Sequence, residues 1–122
     1  MTVRRRKRVI DKTLGFHWYM QYGGTAFDAQ KWYCEKFDVR VPGSVAGEDY
    51  HHGLFVSVKA VPYSGLIWIK DTVGAIVMAH EIAHAVVHVC RVLELDPREA
   101  DEFQACYTGY LMGELNRLVQ PG

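Results

Sequence analysis

VGAIVMAHEIAHAVVHVCRVLEL, Val73 to Leu95, holds no proline and a single early glycine, and its wealth of Ala, Val, Ile and Leu predicts a long helix with a mostly buried surface. Asp71 or Thr72 is placed to cap its first turn, and Asp96-Pro97 to end it. Each residue of a helix advances about 100° and 1.5 Å, so His80 and His84, four apart, lie nearly one above the other. Both rings therefore reach one divalent ion. Glu81 projects about a quarter turn aside, near enough to take a proton from water at that ion without displacing it. A buried helix has little reason to carry His80, Glu81, His84 and His88 along one side unless something satisfies them.

A catalytic zinc site usually has three protein ligands and leaves a fourth position to water. The following segment, Arg98 to Val119, is also free of proline, and Pro97 suits the first turn of a helix. The short Leu95-Asp96-Pro97 turn makes the pair an αα-hairpin, which brings the second helix back antiparallel across the first. Glu102 is the expected third ligand, being one turn deeper than Glu99 and followed on its own face by Cys106 and Gly109. Asp101 and Glu99 are the alternatives. Cys106 would close the site and make it structural if its thiolate joined, but free cysteines are commonly buried for packing alone. His88 is open to an outer hydrogen bond or to filling the helix interface. Tyr107 and Tyr110 are expected in the core or at an interface rather than at a reacting carbonyl.

The runs from Ala79 to His88 and from Glu99 to Met112 resemble the core of small HExxH proteins encoded by phages and prophages. More distantly they are similar to the ImmA/IrrE-type metallopeptidases, whose Asn-x-Phe-Ala segment corresponds here to Glu102-Phe103-Gln104-Ala105. The resemblance covers roughly the second half of the chain. It implies a gluzincin-like site, with His80 and His84 as ligands, Glu81 as base and Glu102 as acidic third ligand.

At 122 residues and 49% hydrophobic, the chain suits one domain with an adequate core but no second lobe. Cys34, Cys90 and Cys106 are odd in number and show no CxxC spacing, which predicts a reducing cytoplasm. Five of the 14 basic residues fall in Arg4–Arg8, leaving nine against 14 acidic ones. Residues 1–12 are thus expected to be a basic, flexible arm ahead of a single zincin-like domain, 13–122. No aromatic residue interleaves the basic run, so a solubilising role is favoured over contact with nucleic acid. No apolar h-region follows the run, and no membrane is expected.

Ahead of the histidine helix, Leu14 to Tyr22 predicts a strand ending at Gly23-Gly24. Thr25 with Asp28 predicts the start of a helix running to about Phe37. Val39–Val41, Leu54–Ala60 and Leu66–Lys70 predict further strands, the last either an interior strand or the edge of a substrate cleft. His51-His52 in a Gly-flanked loop and His17 among aromatics are expected to be solvent-exposed and cross-strand packing, respectively. A β-rich half before two long helices makes the fold class α+β, a small mixed or antiparallel sheet with an N-terminal helix and an αα-hairpin. The expected activity is hydrolysis of a peptide or protein substrate with Zn²⁺ held by His80, His84 and Glu102 and Glu81 as general base. The alternative is a non-catalytic zinc-binding regulator or adaptor of phage or prophage origin that binds a partner protein.

Overall fold

In the computed structural model, which describes residues 4–41, 52–96 and 98–120, a four-stranded mixed sheet carries helices on both faces. Its strands are β1 (Arg5–Asp11), β2 (Phe16–Tyr22), β3 (Gly53–Val56) and β4 (Ser64–Ile69), and its helices α1 (Ala26–Lys36), α2 (Ala75–Val92) and α3 (Asp101–Val119). The strand order is β1-β2-β4-β3, with β2 and β4 parallel and both outer pairs antiparallel. A parallel neighbour demands a crossover, and the chain that includes α1 supplies it.

Side-chain alternation along β2 divides the core. Phe16, Trp18 and Met20 join Ile67 and Ile69 of β4 beneath Ile82, Ala85, Val86 and Val89 of α2 and Leu111 and Leu115 of α3. Tyr19, with Leu66 and Trp68, points through the other face to Ala26, Ala29 and Tyr33 of α1. Burying each large apolar side chain contributes about 1.5–3 kcal/mol, so the two clusters hold both helix layers on the sheet. The fold is α+β, as the sequence predicts.

Several boundaries differ from expectation for local reasons. The N-terminal basic run, expected to be flexible, forms β1 because its long stems find partners on both faces. Arg5 donates to the carbonyls of Leu118, Val119 and Gln120 at 2.9–3.2 Å, satisfying the open end of α3. Lys7 pairs with Glu114 at 3.0 Å, while Arg6 donates to Gln21 and lies over the Trp32 ring. Thr25 caps α1 by accepting from the Asp28 amide, as its sequence implies. Gly74, rather than Asp71 or Thr72, precedes α2, which stops at Val92 because Glu94 turns left-handed at φ 57° and the Leu95 amide bonds the Cys90 carbonyl. α3 begins at Asp101 instead of Arg98, Val39–Val41 forms no strand, and the expected Leu54–Ala60 strand ends at Val56. His51 and Pro97 lie outside the described residues.

α2 is long and apolar enough to cross a membrane by length and composition, but its Ile82, Ala85 and Val89 are seated in the sheet-facing core. The two sides of that core are tied by a buried polar chain. Trp18 Nε1 donates to Tyr107 Oη at 2.8 Å, and Tyr107 donates in turn to Asp11 Oδ2 at 2.8 Å. Asp11 Oδ1 accepts from the amides of Thr13 and Leu14, fixing the β1–β2 turn. Tyr107→Phe strands the Trp18 donor and one carboxylate oxygen together, which should lower unfolding free energy by about 1–3 kcal/mol in urea titration.

Candidate metal centre

α2 presents three chemically different faces. Ile82, Ala85, Val86 and Val89 are buried against the sheet and α3, whereas His80 and His84 are exposed. Between these faces runs a flank on which Val77 and Glu81, one turn apart, lie over Gly53 of edge strand β3. Glu81 is 7% exposed despite its charge, the only acidic residue of α2 and a buried one.

The helical spacing brings the two imidazoles together as the sequence predicts. His80 Nε2 and His84 Nε2 are 3.2 Å apart. Two nitrogens bound at about 2.05 Å to one tetrahedral zinc are separated by roughly 3.3 Å, so the pair already has the spacing of adjacent ligands. Without a cation the same contact is an N–H···N hydrogen bond between one ring's donor and the other's lone pair. One ligand atom from each of His80, Glu81 and His84 falls within 4.8 Å of the others. The carboxylate of that group is Glu81, so with Glu81 kept as a base the group offers two imidazole ligands, one fewer than a catalytic zinc usually has. Two converging imidazoles fit a divalent metal ion without naming it.

His88 continues the stripe but not the group. Its Nε2 donates to the Pro62 carbonyl at 2.8 Å, and its ring packs beside Phe16 and Phe55. That bond commits the nitrogen and ties α2 to the loop before β4. His88 is thus an interface residue, one of the roles its spacing left open.

The expected third ligand lies elsewhere. Glu102 is exposed on α3 and accepts from the Cys106 thiol at 3.5 Å. Cys106 in turn lines a cavity of about 410 Å³ with Asp11, Thr13, Leu14, Phe103, Tyr107 and Tyr110. This cavity belongs to the β1 edge, whereas Gly53 and Glu81 mark the β3 edge, three strand spacings or about 14 Å across the sheet. Among the described residues the metal-competent group contains neither Glu102 nor the alternatives Asp101 and Glu99. The hairpin is present, but Glu102 is not among the ligand atoms that converge with the histidines.

Neighbouring reactive groups are similarly committed. The Glu102 carboxylate pushes the Cys106 thiol up from its ordinary pKa, first by accepting its hydrogen bond and then by its charge, which disfavours the thiolate a metal needs. Burial pushes the Tyr107 phenol far above its usual range, and both of its hydrogen bonds go to the core. Tyr110 is exposed rather than in the core, and its phenol is also raised, chiefly by desolvation. His17 is partly buried in β2 and lines a smaller cavity with Tyr19, Phe37, Tyr63 and Ser64, consistent with packing, and His52 is exposed. β4 is an interior strand between β2 and β3, the plain alternative expected for Leu66–Lys70, and β3 is the edge strand beside it.

Gly53 is the site residue that sequence reasoning passed over. Its signal was present: a glycine directly after His51-His52 at the head of an apolar run, where a strand opening without a side chain marks close approach. No known protein family, curated protein or solved structure matches the chain in comparison.

The geometry sets a clear order of metal affinities. His80→Ala or His84→Ala removes a direct ligand and should weaken zinc binding by more than about 100-fold, beyond the usual cost of losing an outer partner. Glu102→Gln should leave it unchanged in competitive chelator titration. A loss for Glu102→Gln as large as for the histidine variants would show that α3 supplies the ligand after all.

Proposed function

We propose that the protein is a zinc-dependent peptide hydrolase built on a minimal zincin-like domain. The observation that carries this reading is the convergence of His80 and His84 at ligand spacing with a buried Glu81 beside them. A zinc ion held there would supply Lewis acidity, lowering the pKa of water toward about 7 and polarising a carbonyl.

The chain's own residues would divide the remaining work. His80 and His84 bind through Nε2, each leaving its other ring nitrogen to fix the tautomer. Glu81 accepts the proton of the attacking water at its carboxylate and passes it to the departing amine, general base first and general acid second. Its seat between α2 and β3 restricts the side chain, so the carboxylate needs little reorganisation during the transfer. The exposure of both histidines leaves room for a peptide or protein segment. Three free cysteines, Cys34, Cys90 and Cys106, support a reducing compartment such as the cytoplasm.

The reading rests on His80, Glu81 and His84. Glu102 enters only if metal binding rolls α3 about its axis. The resemblance to small phage HExxH proteins favours the same reading, and the basic run gives little support to nucleic-acid binding. Arg4 and Arg6 pair with Asp28, and Arg5 and Lys7 are held by α3, leaving Arg8 exposed.

A second reading, a non-catalytic zinc-binding regulator or adaptor, is favoured by the same short ligand set, since the described group holds two imidazoles and no carboxylate from α3. Glu81→Gln separates the two. For a hydrolase it should retain stoichiometric zinc and lose turnover by about 10²–10⁴-fold on a peptide library scored by mass spectrometry. Zinc-loaded wild-type protein that cleaves nothing in the library would favour the adaptor. Undiminished cleavage by Glu81→Gln would remove Glu81 from the mechanism.

A further inference from the structure

Gly53 opens β3 directly against Glu81. A methyl group on its Cα would lie 2.8 Å from Glu81 Cγ, 2.9 Å from Val77 Cγ1 and 3.1 Å from Glu81 Oε2. Carbon atoms normally settle about 3.5–4.0 Å apart, so helix and strand are closer here than any larger residue permits. The backbone of Gly53 does not take a left-handed conformation, hence glycine is required for space and not for its φ.

Neither element has an easy retreat. Gly53 is paired with Ile69 across the antiparallel ladder, and the Lys70 amide donates to the neighbouring His52 carbonyl at 2.9 Å. On the helix side, Met78 and Ile82 are buried next to Val77 and Glu81 in sequence. An added methyl therefore has to displace the Glu81 and Val77 side chains that now fill the space above Gly53.

We propose that Gly53 is the positioning residue for Glu81: its missing Cβ makes the slot in which the Glu81 side chain lies between α2 and β3, held within reach of the His80 and His84 ligand atoms. The catalytic consequence rests on the hydrolase reading above, while the steric coupling is a property of the fold alone. An added methyl displaces the carboxylate toward solvent or forces the strand outward. Zinc binding through His80 and His84, on the exposed side of the helix, is not touched by either movement.

The test compares Gly53→Ala in the wild-type and Glu81→Ala backgrounds. In the wild-type background the melting temperature should fall by about 5–10 °C, the scale of an overpacked contact in a small domain. Most of that shift should vanish with Glu81→Ala, because two of the three close contacts go with it. Zinc affinity should stay unchanged, while kcat on a peptide the wild type cleaves falls roughly 10- to 100-fold at constant KM. If Gly53→Ala alone does not fold, recovery of a cooperative transition in the double variant supports the proposal. Equal melting shifts in both backgrounds, failure of both to fold, or an unchanged kcat overturns it. Should the wild type cleave no peptide, the hydrolase reading falls, and the melting comparison still decides whether Gly53 seats Glu81.

Discussion

The seating of α2 on the β4–β3 side of the sheet is the contact from which the rest of the molecule follows. Ile82, Ala85 and Val89 are wholly buried, so the rotation of the helix about its axis is fixed by its largest energetic term. Once that rotation is set, 100° per residue places His80 and His84 outside and Glu81 on the flank above Gly53. A helix turned by one residue would bury an imidazole in one sense and expose the carboxylate in the other. The geometry at the candidate metal centre is thus a by-product of apolar packing, and the site needs no special local strain to exist.

The opposite half of the same core is held by polar bonds. The Trp18–Tyr107–Asp11 chain links the centre of β2, the middle of α3 and the β1–β2 turn, each group satisfied by the next. Desolvating such groups is costly unless every partner is in place, so the chain restricts α3 to one roll angle more sharply than apolar contact would. That angle faces Tyr107 into the sheet, where it meets Trp18 and Asp11. α3 is anchored by its bonds to β1 and β2, including the Arg5 contacts with its last carbonyls, and none of its carboxylates joins the described ligand group.

What the sequence made legible follows the range of the interactions involved. The i, i+4 meeting of His80 and His84 and the Thr25–Asp28 cap of α1 are local geometry, and both formed as their spacing required. The α+β class followed from the order of apolar periodicities. β1 was not legible because arginine and lysine carry no strand preference, and its pairing with β2 is joined by contacts with Glu114, Gln21, Trp32 and the end of α3, which no local pattern shows. The position of Glu102 was illegible for a related reason. A hairpin fixes which helices are neighbours but not their roll, and roll is set by contacts such as Tyr107 with Trp18 and Asp11.

The residues of the group do not carry equal inferential weight. Exposed histidines cost a fold almost nothing, and a pair four apart on a helix surface arises wherever composition allows. A carboxylate in the interface between a helix and an edge strand is different, because an apolar residue of similar size would fill that place without loss of hydration. The fold nevertheless keeps a glycine in β3 where any larger residue would collide with Glu81. A buried carboxyl group and the glycine that leaves room for it meet at one point beside two convergent imidazoles. The proposed function gives both a use, as a base seated near an ion, and it therefore leans on Glu81 and its slot as well as on the histidines that first draw attention to it.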